Sequence, residues 1–564
     1  MEPGTALAVL AMIKPTANVI IELWQNTSHF GGDIRSMSIR FSASKSYLDH
    51  YESILFTKDK FPGINGMLYD TLPENERLNV FDMLGELRLV LETYMAASKR
   101  YALDSIRSNV NFDLSNDKQE RDTALLTTAN SNDGEQAKTV GWMKKAWWAV
   151  WEKKIVEKLV RDFEKWIKRL RQLMKLVWDP LPFLTSLSQL QKLEKDDDAE
   201  KVGLLVDVPL RKLIVAPPDT QTLNVDSLRT SLSAFASSVE HQNYGTTTQA
   251  GATKVIVEYK SYEVNQINVI HDVASNRINR LIALLHEVKE ARFKVLRCIS
   301  YFDESPQRRI GMIFELPPEL DGPPSSLLTA LTCSSNTRPS LDARMRLARS
   351  LAETLLLLHS VNWLHKSLRS ETVLLLSGAP NTPHSRVCPS LENPRLSGFE
   401  YSRLDNDFTS GHPDYELQRN IYRHPNRWDQ PNESFSKIHD IYSLGVVLLE
   451  IGLWDPINNF DVTKGGNTTL KLRYPDAAKT KERLLRHATR RLGFYAGEKY
   501  QRLVVKCLKG DFGDLSGDDK IGSQLQRELG KEVDRALRPE EKSDDEMLSF
   551  QISDMSMDDQ EAVE

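Results

Sequence analysis

The stretch HDIYSLGVVLLEIGLW, residues 439–454, constrains the fold more than any other part of the sequence. It is apolar on almost every side of a helix, and such a helix must be buried on most sides. A second long helix is predicted over 341–360, LDARMRLARSLAETLLLLHS. Strands rich in β-branched and aromatic residues are predicted over 254–262 and 311–316. Mixed helices and strands of this kind predict an α+β domain.

The amino-acid composition limits the classes of protein to which this chain can belong. At 564 residues the chain is long enough for roughly three or four domains. Its hydrophobic content of 40% and charged content of 27% are those of a soluble globular protein. A net charge of −5 gives no indication of nucleic-acid binding. The four cysteines form no CxxC pair, which argues against a disulfide scaffold or a zinc ribbon and suits a reducing cytosol.

The amino-terminal run ALAVLAMIKPTANVIIELW is apolar but is interrupted by Lys14 and Pro15. Neither half reaches the roughly 18 residues that a bilayer-spanning helix needs. No basic region or small-residue cleavage site indicates a signal peptide. We therefore predict a cytoplasmic protein without a fixed transmembrane anchor, and leave its recruitment to a membrane open.

Residues 1–205 are predicted to form a helical bundle, because strand signals are scarce and the apolar residues follow helical spacing. In 74–101 the apolar stripe consists of Val80, Leu84, Leu87, Leu91 and Tyr94. A heptad-like stripe in a later helix consists of Ile155, Leu159, Phe163, Trp166, Leu170, Leu173 and Val177.

Two changes in composition divide the rest of the chain. The charged stretch LEKDDDAEK, residues 193–201, indicates a boundary, so we predict a second domain over 206–515. The sequence from 516 to 564 is polar and then acidic, with no Lys or Arg from Ser543 onward. Such a composition cannot bury a core, and it predicts a disordered acidic tail.

The helix around residues 144–175 is strongly basic. It carries eleven Lys and Arg residues against four acids, and tryptophans accompany them. Basic residues beside aromatic rings suit an anionic lipid surface. The alternative is a bundle helix with a solvated basic face and tryptophans in the core.

The order of motifs from 254 to about 515 resembles that of a protein-kinase catalytic domain. VIVEYK resembles the strand whose lysine holds the nucleotide phosphates, and Lys260 is its counterpart. MIFEL resembles the hinge, with Glu315 at the start of the linker between lobes. HDIYSLGVVLLEIG resembles the central helix of the large lobe, whose Asp440 would bind backbone amides of the catalytic turn. The resemblance implies a bilobal α+β protein-kinase-like fold.

The residues that carry phosphoryl transfer are replaced at three positions. In the turn H-R-D-L-x-x-x-N of the family, Ser367 stands at the position of the base and Thr372 at the position of the Asn. In RLSGFEYSR the metal-binding Asp of the DFG motif is Gly398. A serine hydroxyl does not accept a proton at neutral pH, and glycine offers magnesium no oxygen ligand. We therefore predict a pseudokinase with no confident catalytic residue and no metal site.

Nucleotide binding is left open by the same resemblance, although no G-x-G-x-x-G loop precedes Lys260. Lys260, Glu315 and Glu400 are the candidate cofactor-binding residues, and ATP is the cofactor that they would hold. Glu400 is also the nearby carboxylate that could bind a metal ion. His365 and Asp440 are interpreted as structural residues, Asp440 as a helix cap and turn-holder.

The first 200 residues, from ALAVLAMIKPTANVIIELWQNTSHFGG onward, resemble the fungal HeLo domain, a helical bundle of prion-inhibition and incompatibility proteins. The shared features are an apolar first helix, a small polar joint, and a second helix with regularly placed apolar and basic residues. The resemblance implies a bundle that, once released, exposes its first helix and attacks membranes. Joined to an inactive kinase-like domain, it resembles the architecture of the mixed lineage kinase domain-like protein of animal necroptosis.

Three functions remain open from the sequence. The first is a pseudokinase-regulated signalling or cell-death effector whose bundle acts on membranes. The second is an atypical active kinase that binds ATP through Lys260 and Glu400. The third is a non-catalytic scaffold. The partners expected are proteins, including further copies of the bundle, and an anionic membrane, but no nucleic acid.

Overall fold

The structure is a computed structural model, and it divides into two compact units, Met1–Val208 and Pro209–Glu564. It describes residues 2–26, 32–61, 66–116, 154–174, 186–205, 208–215, 225–231, 240–242, 245–250, 253–262, 272–287, 293–318, 324–333, 338–376, 391–404, 417–428, 434–460, 476–512 and 521–537.

The secondary structure of the amino-terminal unit is entirely helical within its described residues, as predicted. Its helices are α1 Pro3–Asn26, α2 Gly32–Phe56, α3 Leu68–Thr71, α4 Glu74–Asn116, α5 over 154–174, α6 Leu187–Leu193 and α7 Asp197–Lys201. Helix α8, Val208–Val215, begins at the boundary between the units.

Aromatic side chains join four of these helices in one core. The ring of Trp24 in α1 lies 5.3 Å from Phe41 in α2 and 6.0 Å from Tyr94 in α4. Trp24 Nε1 also donates to the hydroxyl of Tyr94 over 2.9 Å. Phe41 in turn packs against Phe163 of α5 at 4.8 Å. A shared aromatic core of this kind specifies how the helices are arranged around it.

The predicted apolar stripe of α4 is buried at all five positions, Val80, Leu84, Leu87, Leu91 and Tyr94. The stripe of α5 is partly different from the prediction. Trp166 and Ile155 are only half-buried, whereas Val156, Val160 and Ile167 complete the buried face. The turn of a straight helix is 3.6 residues, so a strict heptad stripe drifts off the core. Val177 lies outside the described residues.

Helix α1 contradicts the expectation that Lys14 and Pro15 divide the apolar run. It continues through both, and its segment Pro3–Glu22 is long and apolar enough in composition to cross a bilayer. Pro15 is exposed, so the carbonyl that its missing N–H leaves without a partner can bind water. The ammonium of Lys14 is paired with Glu52 at 2.5 Å and Asp49 at 3.4 Å. Hydrogen bonding to Glu52 raises the pKa of Lys14.

A polar cluster attaches α7 to α2. The carboxylate of Asp198 binds His50 Nδ1 at 2.8 Å, and it accepts from Ser53 Oγ and Lys60 Nζ at 2.6 Å each. Burial by itself would raise the pKa of Asp198, but the bonds from Lys60, Ser53 and His50 hold it well below its usual range. Asp198 therefore remains ionised and bound throughout the neutral pH range.

The carboxyl-terminal unit begins with a five-stranded antiparallel sheet in the order β1-β2-β3-β5-β4. Its strands are β1 Glu240–Gln242, β2 Gly245–Ala250, β3 Thr253–Ser261, β4 Cys298–Glu304 and β5 Arg309–Glu315. Helix α9, Asp272–His286, follows β3 in the chain and packs against β4. Strands were predicted at the positions of β3 and β5, and both are present.

The rest of this unit is mainly helical. Its helices are α10 Leu327–Leu331, α11 Leu341–Ser360, α12 Leu417–Asn420, α13 Lys437–Leu453, α14 Ala477–Ala496, α15 Glu498–Lys509 and α16 Ile521–Leu537. Short strands form two small sheets, β6-β8-β9 and β7-β10, from β6 Ser325–Ser326, β7 Trp363–Leu364, β8 Val373–Leu375, β9 Pro394–Leu396 and β10 Arg403–Leu404. Every residue of α13 from His439 to Leu453 is buried, as its apolar sequence predicts.

The predicted disordered tail over 516–564 needs a correction, because it contains α16. Leu525, Leu529, Val533 and Leu537 are buried in the same core as α13. Gln526 donates to the carbonyl of Leu356 in α11 over 2.9 Å. The spacing of four between these apolar residues is helical, but polar neighbours hide it in the average composition. Residues 538–564 lie outside the described residues.

Candidate functional site

Three segments of the carboxyl-terminal unit meet at the candidate site, namely the turn 365–372, the loop 397–402 and strand β3. The buried carboxylate of Asp440 shapes the turn, because its two oxygens accept the backbone amides of His365 and Lys366 at 2.8 Å each. Burial by itself would raise the pKa of Asp440, but the hydrogen bond from His359 and the amide of Lys366 keep it lowered. The predicted role of Asp440 as turn-holder is confirmed. The helix cap is instead Ser436.

His365 is a structural residue, as predicted. Its Nε2 lies 2.9 Å from the carbonyl of Ser397, and its Nδ1 accepts the amide of Ser367. The ring packs edge-on against Phe399 at 4.8 Å. Complete burial lowers the pKa of His365 to about 4, so the imidazole is neutral at pH 7 and joins the turn to the loop.

Ser367 and Thr372, which the kinase resemblance matches to the base and the Asn, form hydrogen bonds within the site through their hydroxyls. Ser367 Oγ donates to Glu400 Oε1 over 3.3 Å and accepts from the guanidinium of Arg369. Thr372 Oγ1 accepts the amide of Arg369 at 3.1 Å, and it lies 3.0–3.1 Å from the carbonyls of Arg369 and Ser367. Both hydroxyls therefore stabilise the turn.

Gly398 has a conformation and a neighbour that exclude larger residues. Its φ of +82° lies in the left-handed region that side chains rarely adopt. A Cβ atom placed on Gly398 would lie 2.5 Å from Cγ2 of Thr372. An aspartate at this position would therefore need both the backbone and Thr372 to move. Thr372 and Gly398 therefore fit each other sterically.

Lys260 lies on β3 and reaches the same loop. Its Nζ donates to the carbonyl oxygen of Glu400, and a second carbonyl, that of Ser402, lies at 3.5 Å. Burial lowers the pKa of Lys260 to about 8, with the nearby charge of Glu400 acting in the opposite direction. The ammonium of Lys260, which the kinase resemblance matches to a phosphate-holding lysine, is bonded here to backbone carbonyls.

Glu258, two residues earlier on β3, was not singled out in the sequence. It is 4% exposed, and its Oε2 accepts the amides of Gly398 and Phe399 at 3.0 and 3.1 Å. Burial raises the pKa of Glu258 to about 7, although the two backbone donors act in the opposite direction. The available signal was an acid inside the apolar run VIVEYK, on the same side of the strand as Lys260.

The other two candidate residues differ in position. Glu400 is close to Lys260, but its carboxylate binds the turn, with Oε1 3.3 Å from Ser367 Oγ and 3.5 Å from Arg369 Nη2. Glu315 is exposed at the end of β5, opposite Val255, five residues before Lys260 and so roughly 17 Å along the strand. Lys260 and Glu400 thus come together with Ser367, Thr372 and Gly398, whereas Glu315 does not.

The space beside the turn is small. A cavity bounded by Lys366, Ser367, Arg369, Tyr401 and Arg423 has a volume of about 10 Å³. A small-molecule site usually needs roughly 300 Å³ or more. Within the described residues, no group of three or more His, Cys, Asp or Glu side chains could hold a metal ion. The hydrogen bonds of Glu258, Lys260 and Ser367 join the sheet, loop and turn, and ATP binding remains a prediction.

Comparison with known proteins gives one match. Residues 5–205 match the profile of the HeLo family, described as prion-inhibition and propagation. The match supports the predicted HeLo domain in the helical amino-terminal unit, and it implies a signalling role related to prion inhibition and fungal cell death. No curated protein matches the chain.

Proposed function

We propose that this chain is a two-unit cell-death signalling protein. The HeLo-type bundle acts on membranes through α1, and the carboxyl-terminal unit is a catalytically inactive, protein-kinase-like regulator that restrains it. The observation that carries the proposal is the composition of α1 on all its faces.

A bundle helix normally has a charged or polar outer face, whereas a helix that is apolar all round is suited to a core or a membrane. The inner face of α1 is apolar. Its exposed positions between Pro3 and Glu22 have no charge at all, being Gly4, Thr5, Ala8, Ala11, Met12, Pro15, Asn18 and Val19. Lys14 is the one ionisable residue between these two ends, and it is paired with Glu52 and Asp49. Release of α1 requires these ion pairs to break, so a regulator could control the release of α1 by stabilising or weakening them.

The hydrogen bonds within the candidate site support the proposal that the second unit has no phosphotransferase activity. Lys260, Ser367 and Thr372 all have partners within the protein. Glu258 joins β3 to the backbone of Gly398 and Phe399. Such a network can couple a ligand or a modification at this site to the movement of the sheet against the loop. A network that links the sheet to the loop in this way suits a regulator better than a phosphotransferase.

Release of dye from anionic vesicles tests the effector part of the proposal. We expect residues 1–208, checked for helical content by circular dichroism, to release dye faster than the full chain, because the restraining unit is absent. Val19 of α1 is 43% exposed, so Val19→Glu introduces a charge where the soluble bundle tolerates it. It should slow release roughly 100-fold, given the 2.5–3.5 kcal/mol cost of a charge in the bilayer.

Ile39→Glu is the matched control, because Ile39 is a 63% exposed apolar residue of α2. It should leave release unchanged. Equal release by the Val19→Glu variant and the wild type would exclude insertion of α1. Faster or equal release by the full chain would remove the restraining role of the second unit.

A further inference from the structure

The pair of helices α14 and α15 carries a basic surface with an aromatic residue at the end where the two helices are joined. From Arg483 to Lys509 the pair contains eight Lys and Arg residues but one acid, Glu498. Three of these cations are exposed near the joint at Gly497, and an exposed phenylalanine lies between them in the chain. This hairpin surface consists of Arg490, Phe494, Lys499 and Arg502.

The two helices present these residues on either side of one contact. Gln501 of α15 donates to the carbonyl of Thr489 in α14 over 2.5 Å, and this bond lies at the exposed edge between the helices. Arg490 follows Thr489 and Arg502 follows Gln501, so the two cations flank the contact. The other two members of the hairpin surface lie about one helical turn from Arg490 and Arg502, on the same faces of their helices.

The three cations of the hairpin surface form no ion pair with any described residue, and neither does Glu498. Other cations of α14 and α15 are paired, since Arg486 binds Glu482 at 3.1 Å and Lys506 binds Glu532 at 2.9 Å. Phe494 is 88% exposed, more than any other large apolar side chain among the described residues. Aromatic side chains beside arginine are the composition that protein–protein contact surfaces favour.

A segment of the same chain has the complementary composition. Residues 543–564, which lie outside the described residues, contain eight acids and no Lys or Arg. The apolar run MLSFQI, residues 547–552, stands between acids at 544–546 and at 554. The acids match the cations of the hairpin surface in charge, and the apolar run offers side chains that could cover Phe494.

Helix α16 leads into this segment, and its direction is given by two contacts with α11. Gln526 donates to the carbonyl of Leu356 over 2.9 Å, and Asp534 lies 3.9 Å from Arg349. As the residue numbers rise in α16 they fall in α11, so the two helices are antiparallel. The end of α16 therefore lies beside the first part of α11.

The first part of α11 in turn contacts the hairpin. The guanidinium of Arg344 donates to the carbonyl of Tyr495, the residue after Phe494, over 3.4 Å. Helix α16 ends at Leu537, seven residues before Asp544. Seven extended residues span up to about 25 Å. The acidic segment can therefore reach the hairpin surface of its own chain.

We propose that the acidic segment 543–564 docks on the hairpin surface of the same chain. Its carboxylates pair with Arg490, Lys499 and Arg502, and an apolar side chain of MLSFQI covers Phe494. The same chain is favoured over a second copy, because the short connection keeps the segment at a high effective concentration. Any other acidic protein segment that binds this surface has to displace the tail first. The inference does not depend on the proposed membrane function.

Carbodiimide cross-linking of the full chain tests the proposal, because this reagent joins an amine to a carboxylate with which it is in contact. We expect mass spectrometry to find Lys499 linked to acids between 544 and 559, with a lower yield at higher salt. Arg490→Glu/Arg502→Glu should lower the yield at least about fivefold, because attraction becomes repulsion while Lys499 stays available. Phe494→Ser should lower it about two- to threefold, because an apolar contact is lost.

The matched control is Lys192→Glu/Lys195→Glu, at two exposed lysines of the amino-terminal unit. Both Glu double variants change the net charge from −5 to −9, because each substitution removes one positive charge and adds one negative charge. The control should give the yield of the wild type. Circular dichroism of each variant confirms that the helices are intact.

Equal losses in the hairpin and control variants would overturn the proposal, as would the absence of any link between Lys499 and the tail. Mixing ¹⁴N-labelled and ¹⁵N-labelled chains before cross-linking distinguishes the two sources of the tail, and links formed mainly between the labels would overturn docking within one chain. If no link forms and Arg490→Glu/Arg502→Glu abolishes binding to heparin, the surface belongs to a different anionic partner and the proposal is likewise overturned.

Discussion

Replacing Glu258 by glutamine should make the stability of the carboxyl-terminal unit less dependent on pH. The carboxyl group is completely buried, and its pKa is raised to about 7 from an ordinary value of 4.5. Between these two values the folded protein holds a proton that the unfolded chain releases. Stability from this group is therefore fully present below about pH 4.5 and is lost as the pH rises through about 7.

The size of the effect follows from the shift in pKa. One pKa unit corresponds to about 1.36 kcal/mol, so the whole contribution of Glu258 is about 3 kcal/mol. Between pH 5.5 and pH 8 the part that changes is about 2 kcal/mol. Glutamine keeps an oxygen that can accept the amides of Gly398 and Phe399 and does not titrate. Its added NH₂ group needs an acceptor, but that cost is the same at both pH values.

The measurement is the free energy of opening of segment 394–404, obtained from hydrogen exchange in increasing urea and detected by mass spectrometry of the full chain. Glu450 is also buried, and its pKa is raised to about 8, so the wild type loses stability through both groups. The difference between wild type and Glu258→Gln isolates the contribution of Glu258. Glu315→Gln, at an exposed residue of the neighbouring strand, is the control and should leave the pH dependence unchanged.

Equal pH dependence in wild type and Glu258→Gln would refute the reasoning, because it would mean that Glu258 titrates normally and is open to water. A steeper loss of stability with rising pH in the Glu258→Gln variant would show that the sign assigned to the contribution of Glu258 is wrong.

Two further predictions concern the same site. Gly398→Ala should destabilise the unit by about 2–3 kcal/mol, because it forces a side chain into the left-handed region and against Thr372. In thermal denaturation, adding Thr372→Ser should restore only the stability lost through the clash with the Thr372 methyl group. Full restoration, or none, would contradict the division of the loss into a backbone part and a steric part. ATP with magnesium or manganese should not raise the unfolding temperature of the full chain, because Lys260 is bonded to two backbone carbonyls. A rise in the unfolding temperature that Lys260→Ala abolishes would contradict this expectation.

The sequence predicted those elements whose burial follows from the spacing of their own apolar residues. Helix α13 had to be buried because its apolar residues cover every side, and α4 had to bury one stripe because its spacing is helical. The role of Asp440 followed from its place in a motif. The match over 5–205 supports the same kind of inference for the amino-terminal helices.

Contacts between distant residues escaped prediction. Glu258 and the amide of Gly398 are 140 residues apart, and an acid in a strand gives no sign of whether it faces water or a backbone donor. The fit between Gly398 and Thr372 depends on a φ angle and a distance that no spacing encodes. Helix α16 was missed because average composition outweighed the apolar residues at every fourth position. Lys14 and Pro15 were expected to interrupt the apolar run, since the exposure of Pro15 within a continuous α1 could not be read from the sequence.

In the proposed membrane role, Pro15 would raise the free energy of α1 in hydrocarbon. Pro15 offers no N–H to the carbonyl of Ala11, four residues before it, and at an exposed position water can take that role. Hydrocarbon offers no such donor, and an unsatisfied backbone group there costs several kcal/mol. The helix would therefore cross a bilayer more readily as one of several copies that supply a polar side chain to this carbonyl than as a single molecule. A single proline would in this way make the response depend steeply on the number of molecules assembled.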